Sequence, residues 1–494
     1  MKYFFSSFVT FQPNQCKYIP GFNMRIYWFF LIICVSFATY AQNEVSLKGN
    51  FPGAEGRTLR VFHYADQITY LKKEIDRQVI DSLGDFSFTL RLNATENIFF
   101  RIDHARMHMF VTPGEEYFLQ FDPVDFSEMK DQGNPYIDPW YFSFDILKPK
   151  DDLNARISNF DDRFHDFLSE NFVRMQKSRN FRMLDQFRVQ MDSVFGDITD
   201  PFFMNYYTYK FAYYYRVSGS ISPVRQIETY ILNEDILYNN TQYMNFFNAV
   251  FASYIFAGSR SLQYGDLTYT INQLNSYNAL MDSLGKDTIL RNELLRELVL
   301  LNGLNEIYGK NEFNKQNVKS ILHHINENSK FFRHREIAGN ILHQKTYLSE
   351  GSPAPSFELS NSEKNKVNIP DDFMGKFLLL SFGTSNCQSC IIESYAMDEL
   401  AEKYKDQFAF LTIMTDRHEK DFLDYVQAHK FGWPHLYFNH RFDLLDDYRI
   451  RAVPFFVLIS PEGDILRYPA PYPSKELINT FDYLLFQKRR NNQQ

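Results

Sequence analysis

Cysteine is nearly absent from this chain: four residues in 494, at positions 16, 34, 387 and 390. Cys16 and Cys34 fall in a leader-like segment, so a processed chain keeps Cys387 and Cys390 as its thiols. A tetrahedral zinc site draws four ligands, usually from two Cys or His pairs, and no second Cys pair follows the leader. A basic excess is missing too. With 52 Lys and Arg against 60 Asp and Glu the formal charge is −8, and no basic stripe or recognised motif points to nucleic acid. The uncharged stretch 26–41 has sixteen residues, short of the about 20 that a spanning helix needs. It follows Arg25 and ends Thr39-Tyr40-Ala41, the pattern of a secretory signal cleaved after Ala41. Met24 is an alternative start that gives a signal of ordinary length. Cys34 raises lipoprotein anchoring, but Ile33 is not the small residue such processing needs. Loss of Lys2, Lys17 and Arg25 with residues 1–41 takes the charge from −8 to −11. The expected location is the periplasm or cell envelope.

What the chain has in quantity is aromatic surface, 51 Phe and 32 Tyr within a hydrophobic share of 45%. Its length exceeds one core and implies two to four domains. After a leader at 1–41, residues 42–128 read as an antiparallel β-sandwich. Val45 and Leu47 alternate with polar neighbours, and Phe86, Phe88, Leu90 and Leu92 do so after the turn Leu83-Gly84-Asp85. Shorter runs at 59–63, 98–102 and 118–121 are separated by turn residues such as Pro113-Gly114. His104 and His108 stand i, i+4, a spacing that does not unite them on a strand, and they read as surface polar residues. Residues 129–347 read as α-helical: Ile157, Phe160, Phe164, Phe167, Leu168 and Phe172 form one stripe, and 289–304 carries another. Asp200-Pro201, Ser222-Pro223 and Ala257-Gly258-Ser259 divide the helices. No repeat of about 34 residues holds. The aromatic run 206–215 reads as helix core, and adjacent His323 and His324, about 100 degrees apart on a helix, as structural residues. Punctuation at 350–355 leads into a third domain, 351–490.

Chemistry concentrates at 377–393, FLLLSFGTSNCQSCIIE. An apolar run at 377–380 fits a strand covered on both faces. A break at 383–386 follows, and then Ile392, Ala396 and Leu400 recur with helical spacing. Cys387 therefore stands at or just before a helix N-terminus, where unpaired N–H groups and the helix dipole favour the thiolate. Two intervening residues let Cys387 and Cys390 cycle between dithiol and disulfide. A structural disulfide is the bland alternative.

Residues 351–487 resemble the thioredoxin-like domain of the TlpA/ResA group, thiol–disulfide oxidoreductases of bacterial envelopes. The resemblance rests on the lead-in Gly351-Ser-Pro-Ala-Pro-Ser-Phe-Glu-Leu359, on Gly375-Lys376 before the strand, on Cys387-x-x-Cys390, and on Tyr448-Arg-Ile-Arg-Ala-Val-Pro454-Phe-Phe-Val-Leu-Ile459-Ser-Pro-Glu-Gly463. Residues 42–128, with the turns Gly84-Asp85-Phe86 and Pro113-Gly114-Glu115-Glu116, resemble the β-rich domain of unknown function that often precedes such domains. The resemblance implies that Cys387 attacks, that Cys390 resolves, that Val453-Pro454 is a cis-proline loop docking substrate, and that no cofactor or metal is used. Residue types alone favour a trans proline opening a strand. Glu393 falls where the family keeps a glutamate near the redox pair, either handling protons or supporting the helix dipole. The chain departs from the family at Gln388 and Ser389, where an aromatic residue and a proline are usual, at Ser381 for Asn or Asp, and at Phe455 for Thr.

The implied function is disulfide exchange with envelope proteins bearing disulfides or dithiols, fed by an upstream membrane thiol–disulfide electron donor. Two alternatives stand beside it. A non-catalytic envelope binding protein could use the thioredoxin fold as a scaffold. A thiol peroxidase is suggested by Thr384-x-x-Cys387, although its signature wants proline where Leu380 stands.

Overall fold

The computed structural model describes residues 43–126, 140–150, 152–178, 182–219, 221–259 and 263–491. The leader and its signal reading, residues 1–41, lie outside the described residues.

Eight strands open the chain: β1 (Glu44–Asn50), β2 (Thr58–Tyr64), β3 (Lys72–Val79), β4 (Asp85–Arg91), β5 (Glu96–Ile102), β6 (Ala105–Val111), β7 (Glu116–Phe121) and β8 (Phe144–Lys148). They form two four-stranded sheets, ordered β4-β1-β7-β8 and β3-β2-β5-β6. Alternation works as expected on β4, whose Phe86, Phe88 and Leu90 are buried while their neighbours face solvent. Both sheets feed one core, with Val45 and Leu47 beside Val61, Phe100 and Met107. The purely antiparallel expectation is corrected at β1 and β7, which pair in parallel. The chain passes through the whole second sheet between them, and parallel neighbours require such a long crossover. β8, inside the 129–347 span, pairs antiparallel with β7.

Helices follow: α1 (Leu153–Ser178), α2 (Arg182–Phe195), α3 (Pro201–Val217), α4 (Pro223–Tyr230), α5 (Thr241–Val250), α6 (Tyr264–Tyr269), α7 (Tyr277–Gly285), α8 (Glu293–Ile307), α9 (Lys315–Asn328) and α10 (Phe332–Thr346). Two of the sequence breakers are helix starts. The Asp200 carboxylate accepts from Phe203 N at 2.9 Å and Ser222 caps α4, each with proline in the first turn. Ile157, Phe160 and Phe164 of the α1 stripe are buried. Phe160 meets the rings of Phe164, Phe195, Tyr207 and Phe211 within 6.1 Å. The run 206–215 lies on α3, with Tyr206, Tyr207, Tyr209, Phe211 and Tyr215 buried. Exposed His324 lies against the ring of Tyr277.

The third part carries β9 (Phe357–Asn361), β10 (Lys366–Ile369), β11 (Phe377–Gly383), α11 (Gln388–Tyr404), β12 (Phe408–Met414), α12 (Glu419–His429), β13 (His435–Tyr437), α13 (Phe442–Asp447), β14 (Phe455–Ile459), β15 (Ile465–Arg467) and α14 (Leu477–Asn491). Its sheet runs β10-β9-β13-β12-β11-β14-β15. β11 is central, parallel to β12 and antiparallel to β14, and all seven of its residues are buried, as the apolar run implies. Among the described residues no helix is long and apolar enough to cross a membrane.

The parts are joined by polar contacts. Loop 65–70 enters the helical region, where Asn340 Nδ2 donates to Asp66 at 2.8 Å and Gln344 Nε2 to Thr69 O at 2.7 Å. Arg101 of β5 pairs with Asp446 of α13, and the His104 ring lies against Phe442.

On β13 of the third part's sheet, His435 is buried between aromatic rings. Its Nδ1 lies 3.0 Å from Trp433 O, and burial pushes its pKa down to about 4. The folded protein therefore holds a neutral imidazole that the unfolded chain protonates near its ordinary value of 6.5. Stability from this group is complete above pH 6.5 and is lost as pH falls toward 4, by at most about 3 kcal/mol. Denaturation midpoints at pH 7 and pH 4.5 should differ more in the parent chain than in His435→Phe. Equal differences would refute the assignment.

Candidate active site

The site forms where β11 ends. Gly383 closes the strand and the chain turns through 384–386, a turn held from one side by Asp416. This carboxylate follows β12 and is 2% exposed. Its Oδ1 accepts from Thr384 Oγ1 at 2.9 Å, from Ser385 N at 2.9 Å and from Ser385 Oγ. Thr415 N donates to Gly383 O at 2.8 Å, tying the two strand ends together. Cys387 N then donates to Thr384 O at 3.1 Å, which sets Cys387 as the N-cap of α11 with extended backbone angles, φ −97° and ψ 102°.

Cys387 and Cys390 are joined as a disulfide with α-carbons 5.1 Å apart. Cys390 is 6% exposed and Cys387 is more open, the order implied by their places at the helix start. Ser389 Oγ lies 3.2 Å from Cys387 Sγ, so this departure from the family sets a hydroxyl beside the outer sulfur. Val453-Pro454 is a cis peptide. The Val453 carbonyl oxygen stands 4.0 Å from Cys387 Sγ, and Pro454 and Cys390 line the same small space. The structure thus brings Cys387, Cys390, Val453 and Pro454 together.

The phase of α11 differs from the apolar spacing. Ile392 and Tyr395 are 54% and 55% exposed, while Cys390, Glu393, Ser394, Met397 and Leu400 are buried. Turning Cys390 toward the cis-proline loop fixes that phase and takes Glu393 inside with it, because i and i+3 share a face. Glu393 is not in the first turn, so the dipole reading loses its basis. Its two oxygens accept from Ser474 N at 2.9 Å and Ser474 Oγ at 2.6 Å. This engagement compensates the burial of a carboxylate.

Ser381, at the family's Asn or Asp position, lies in a neutral chain. Trp433 Nε1 donates to Thr412 Oγ1 at 2.8 Å, which is 2.8 Å from Ser381 Oγ, and Ser381 Oγ donates to Leu411 O at 3.2 Å. Phe455 packs against the Tyr468 ring at 5.2 Å. Asp416 and Ser474 escaped the sequence reading. Asp416 carried a usable signal, because it follows the carboxyl end of an apolar run, where open α/β sheets place their sites. Ser474 acts from a loop 81 residues from Glu393 and carried none. His104 and His108 lie far from this cluster in sequence and on β6 and its preceding turn, and among the described residues no group of three or more His, Cys, Asp or Glu side chains is placed to hold a metal.

A family profile described as thioredoxin-like matches residues 375–465. The thiol-disulfide oxidoreductase ResA of Bacillus subtilis is 24% identical over 142 residues, covering 28% of this chain and 78% of that protein. ResA of Bacillus thuringiensis is 26% identical over 133 residues, covering 26% of this chain and 75% of that protein. Among solved structures, the thioredoxin domain of a thiol-disulfide oxidoreductase from Bacteroides vulgatus aligns at 28% identity and a TM-score of 0.26, covering 28% of this chain and 98% of that one. The C-terminal part of this chain is a TlpA/ResA-like thioredoxin-fold domain, similar to those of thiol–disulfide oxidoreductases.

Proposed function

We propose that this protein is an exported oxidoreductase that exchanges disulfides with proteins of the cell envelope through Cys387 and Cys390. The observation that carries this reading is the Cys387 sulfur, capping α11 within 4.0 Å of the Val453 carbonyl oxygen. In the reduced state the Cys387 thiolate attacks one sulfur of a partner disulfide, and the partner's S–S bond breaks with its second sulfur leaving as thiolate. The Cys390 thiolate then attacks Cys387 Sγ and the intermolecular bond breaks. Two electrons have passed to the partner, which departs as a dithiol, and a membrane dithiol donor restores the pair. Helix N–H groups and the dipole at the Cys387 end favour its thiolate.

Insulin reduction by dithiothreitol, followed by turbidity, tests the reading, with peroxide consumption measured in parallel. Acceleration of insulin reduction with no peroxide turnover is the expected result. Peroxide turnover alone would favour the peroxidase, and neither activity the binding scaffold. Thr384 Oγ1 is engaged by Asp416 and Leu380 is a buried strand residue, which supports exchange over peroxidase chemistry.

In this reading Glu393 is a positioning residue that fixes the Ser474 loop beside α11. Glu393→Gln keeps an acceptor for Ser474, so its exchange rate should stay within about threefold and keep its pH profile. Glu393→Ala removes the acceptor of exposed Ser474 and empties a buried position, and should lose about 0.5–1.5 kcal/mol of stability for the hydrogen bonding. A flattened pH profile in Glu393→Gln would assign proton transfer to Glu393 instead.

Export entails removal of residues 1–41. Intact mass of protein from the envelope fraction should begin at Gln42, and a mature N-terminus upstream of Met24 would contradict export by this signal.

A further inference from the structure

A second concentration of charge lies where the three parts of the chain meet. An open cleft of about 690 Å³ is walled by β2, β3 and β5, by the end of α10, and by α13 with the segment after it. Six cationic side chains face three carboxylates there. Arg60 is paired with Glu74 and approaches Asp443, and Arg101 with Asp446. The other four, Lys72, Lys345, Arg449 and Arg451, have no ion-pair partner among the described residues. They also repel each other. Burial lowers the Lys72 ammonium to about 8; Asp446 opposes this, and Arg106, Arg101 and Arg451 add to it. Burial and then Arg449 lower Lys345.

A chain of net charge −8 that gathers unpaired cations in one half-buried cleft bears a cost in like-charge repulsion, which an anionic occupant relieves. The cleft also adjoins the redox site. Arg451 is two residues before Val453, so their α-carbons are at most about 7.6 Å apart, and the Val453 oxygen is 4.0 Å from Cys387 Sγ. An extended polypeptide gains about 3.3 Å per residue, so one segment of a few residues reaches from the sulfur to Arg451, at the rim of the cleft that holds the other three cations.

We propose that this cleft receives an acidic segment of the polypeptide whose disulfide or dithiol meets Cys387, with Asp and Glu side chains of that segment against Lys72, Lys345, Arg449 and Arg451. The proposal rests on the oxidoreductase reading and names its substrate class: partners with a run of acidic residues a few positions from the reactive cysteine.

Two measurements on the full processed chain test it separately from that reading. In the first, a cysteine-free peptide with six Asp or Glu residues and its Asn/Gln counterpart, both on a neutral dye, are titrated by fluorescence anisotropy. The acidic peptide should bind at least tenfold tighter, weaken steeply between 50 and 300 mM salt, and lose most of that preference in Lys72→Gln/Lys345→Gln. Equal binding of the two peptides, or a preference untouched by salt in the parent chain, overturns the proposal whether or not the variant folds. Displacement by succinate at the peptide's own concentration would also overturn it, by assigning the cleft to a small dicarboxylate. In the second, disulfide forms of the same peptides are reduced by the protein, and kcat/KM should favour the acidic one by about tenfold. Turnover of both at equal rates refutes the cleft and leaves the oxidoreductase standing; acidic binding without turnover of either refutes the oxidoreductase and, with it, this substrate assignment.

Discussion

Cys387→Ser should abolish disulfide exchange, with a loss on the order of a thousandfold or more, because the one thiol left at the site, Cys390, is 6% exposed and shielded from an incoming disulfide. Cys390→Ser should behave differently. Its Cys387 thiolate still attacks, but nothing resolves the product, so a mixed disulfide with substrate accumulates and mass spectrometry finds an adduct that dithiothreitol removes. The asymmetry follows from the positions: Cys387 is the open N-cap residue, while Cys390 is 6% exposed, behind it. In the reduced parent, alkylation at mildly acidic pH should label Cys387 first. An adduct in Cys387→Ser and none in Cys390→Ser would reverse the two roles.

The second large effect lies outside the site. Glu297 of α8 is 1% exposed, and its carboxylate takes hydrogen bonds from Tyr277 OH, Ser329 Oγ and His334 Nδ1, each at 2.6 Å. Burial raises its pKa, but the bonds from His334, Ser329 and Tyr277 outweigh burial and hold it below the usual carboxylate range. His334 Nε2 continues the network to Tyr238 OH at 2.8 Å. Removing one member of a buried pair strands the others, and Glu297→Leu should cost about 3–5 kcal/mol. Chemical denaturation measures it, and a loss below about 1 kcal/mol would mean that the network relaxes around an apolar residue. His334 belongs to α10, whose far end places Gln344 against loop 65–70 and Lys345 in the charged cleft. Loosening α10 should therefore weaken acidic-peptide binding before it affects the Cys pair.

Much of the redox site was legible because its signals are local. β11 is covered on both faces, so its residues form an apolar run, and the Cys pair follows at fixed spacing. The cis geometry at Pro454 came through family resemblance, since residue types alone favoured trans. What escaped has a common physical origin in partial burial or long range. β3 and β8 went unread, and both are edge strands without a buried residue. An edge strand is half solvated and needs little alternation, as the charged sequence of β3, KKEIDRQV, illustrates. The phase of α11 was misread because the apolar pattern put Ile392 inside, whereas the buried face is set by where Cys390 must point and by a carboxylate that Ser474 satisfies. The contacts joining the three parts, such as Arg101 with Asp446, span 345 residues and leave no periodic trace.

The central claim is that Cys387 and Cys390 form one reversible two-electron couple open to external thiols. Equilibration of the processed protein in graded mixtures of reduced and oxidised dithiothreitol, with acid quench, alkylation and intact mass, tests it most directly. The expected result is a single transition between a form with no alkylated thiol and a form with two, both on the peptide holding Cys387 and Cys390, without unfolding. A disulfide that stays closed until the chain is denatured would contradict the account and mark the bond as structural.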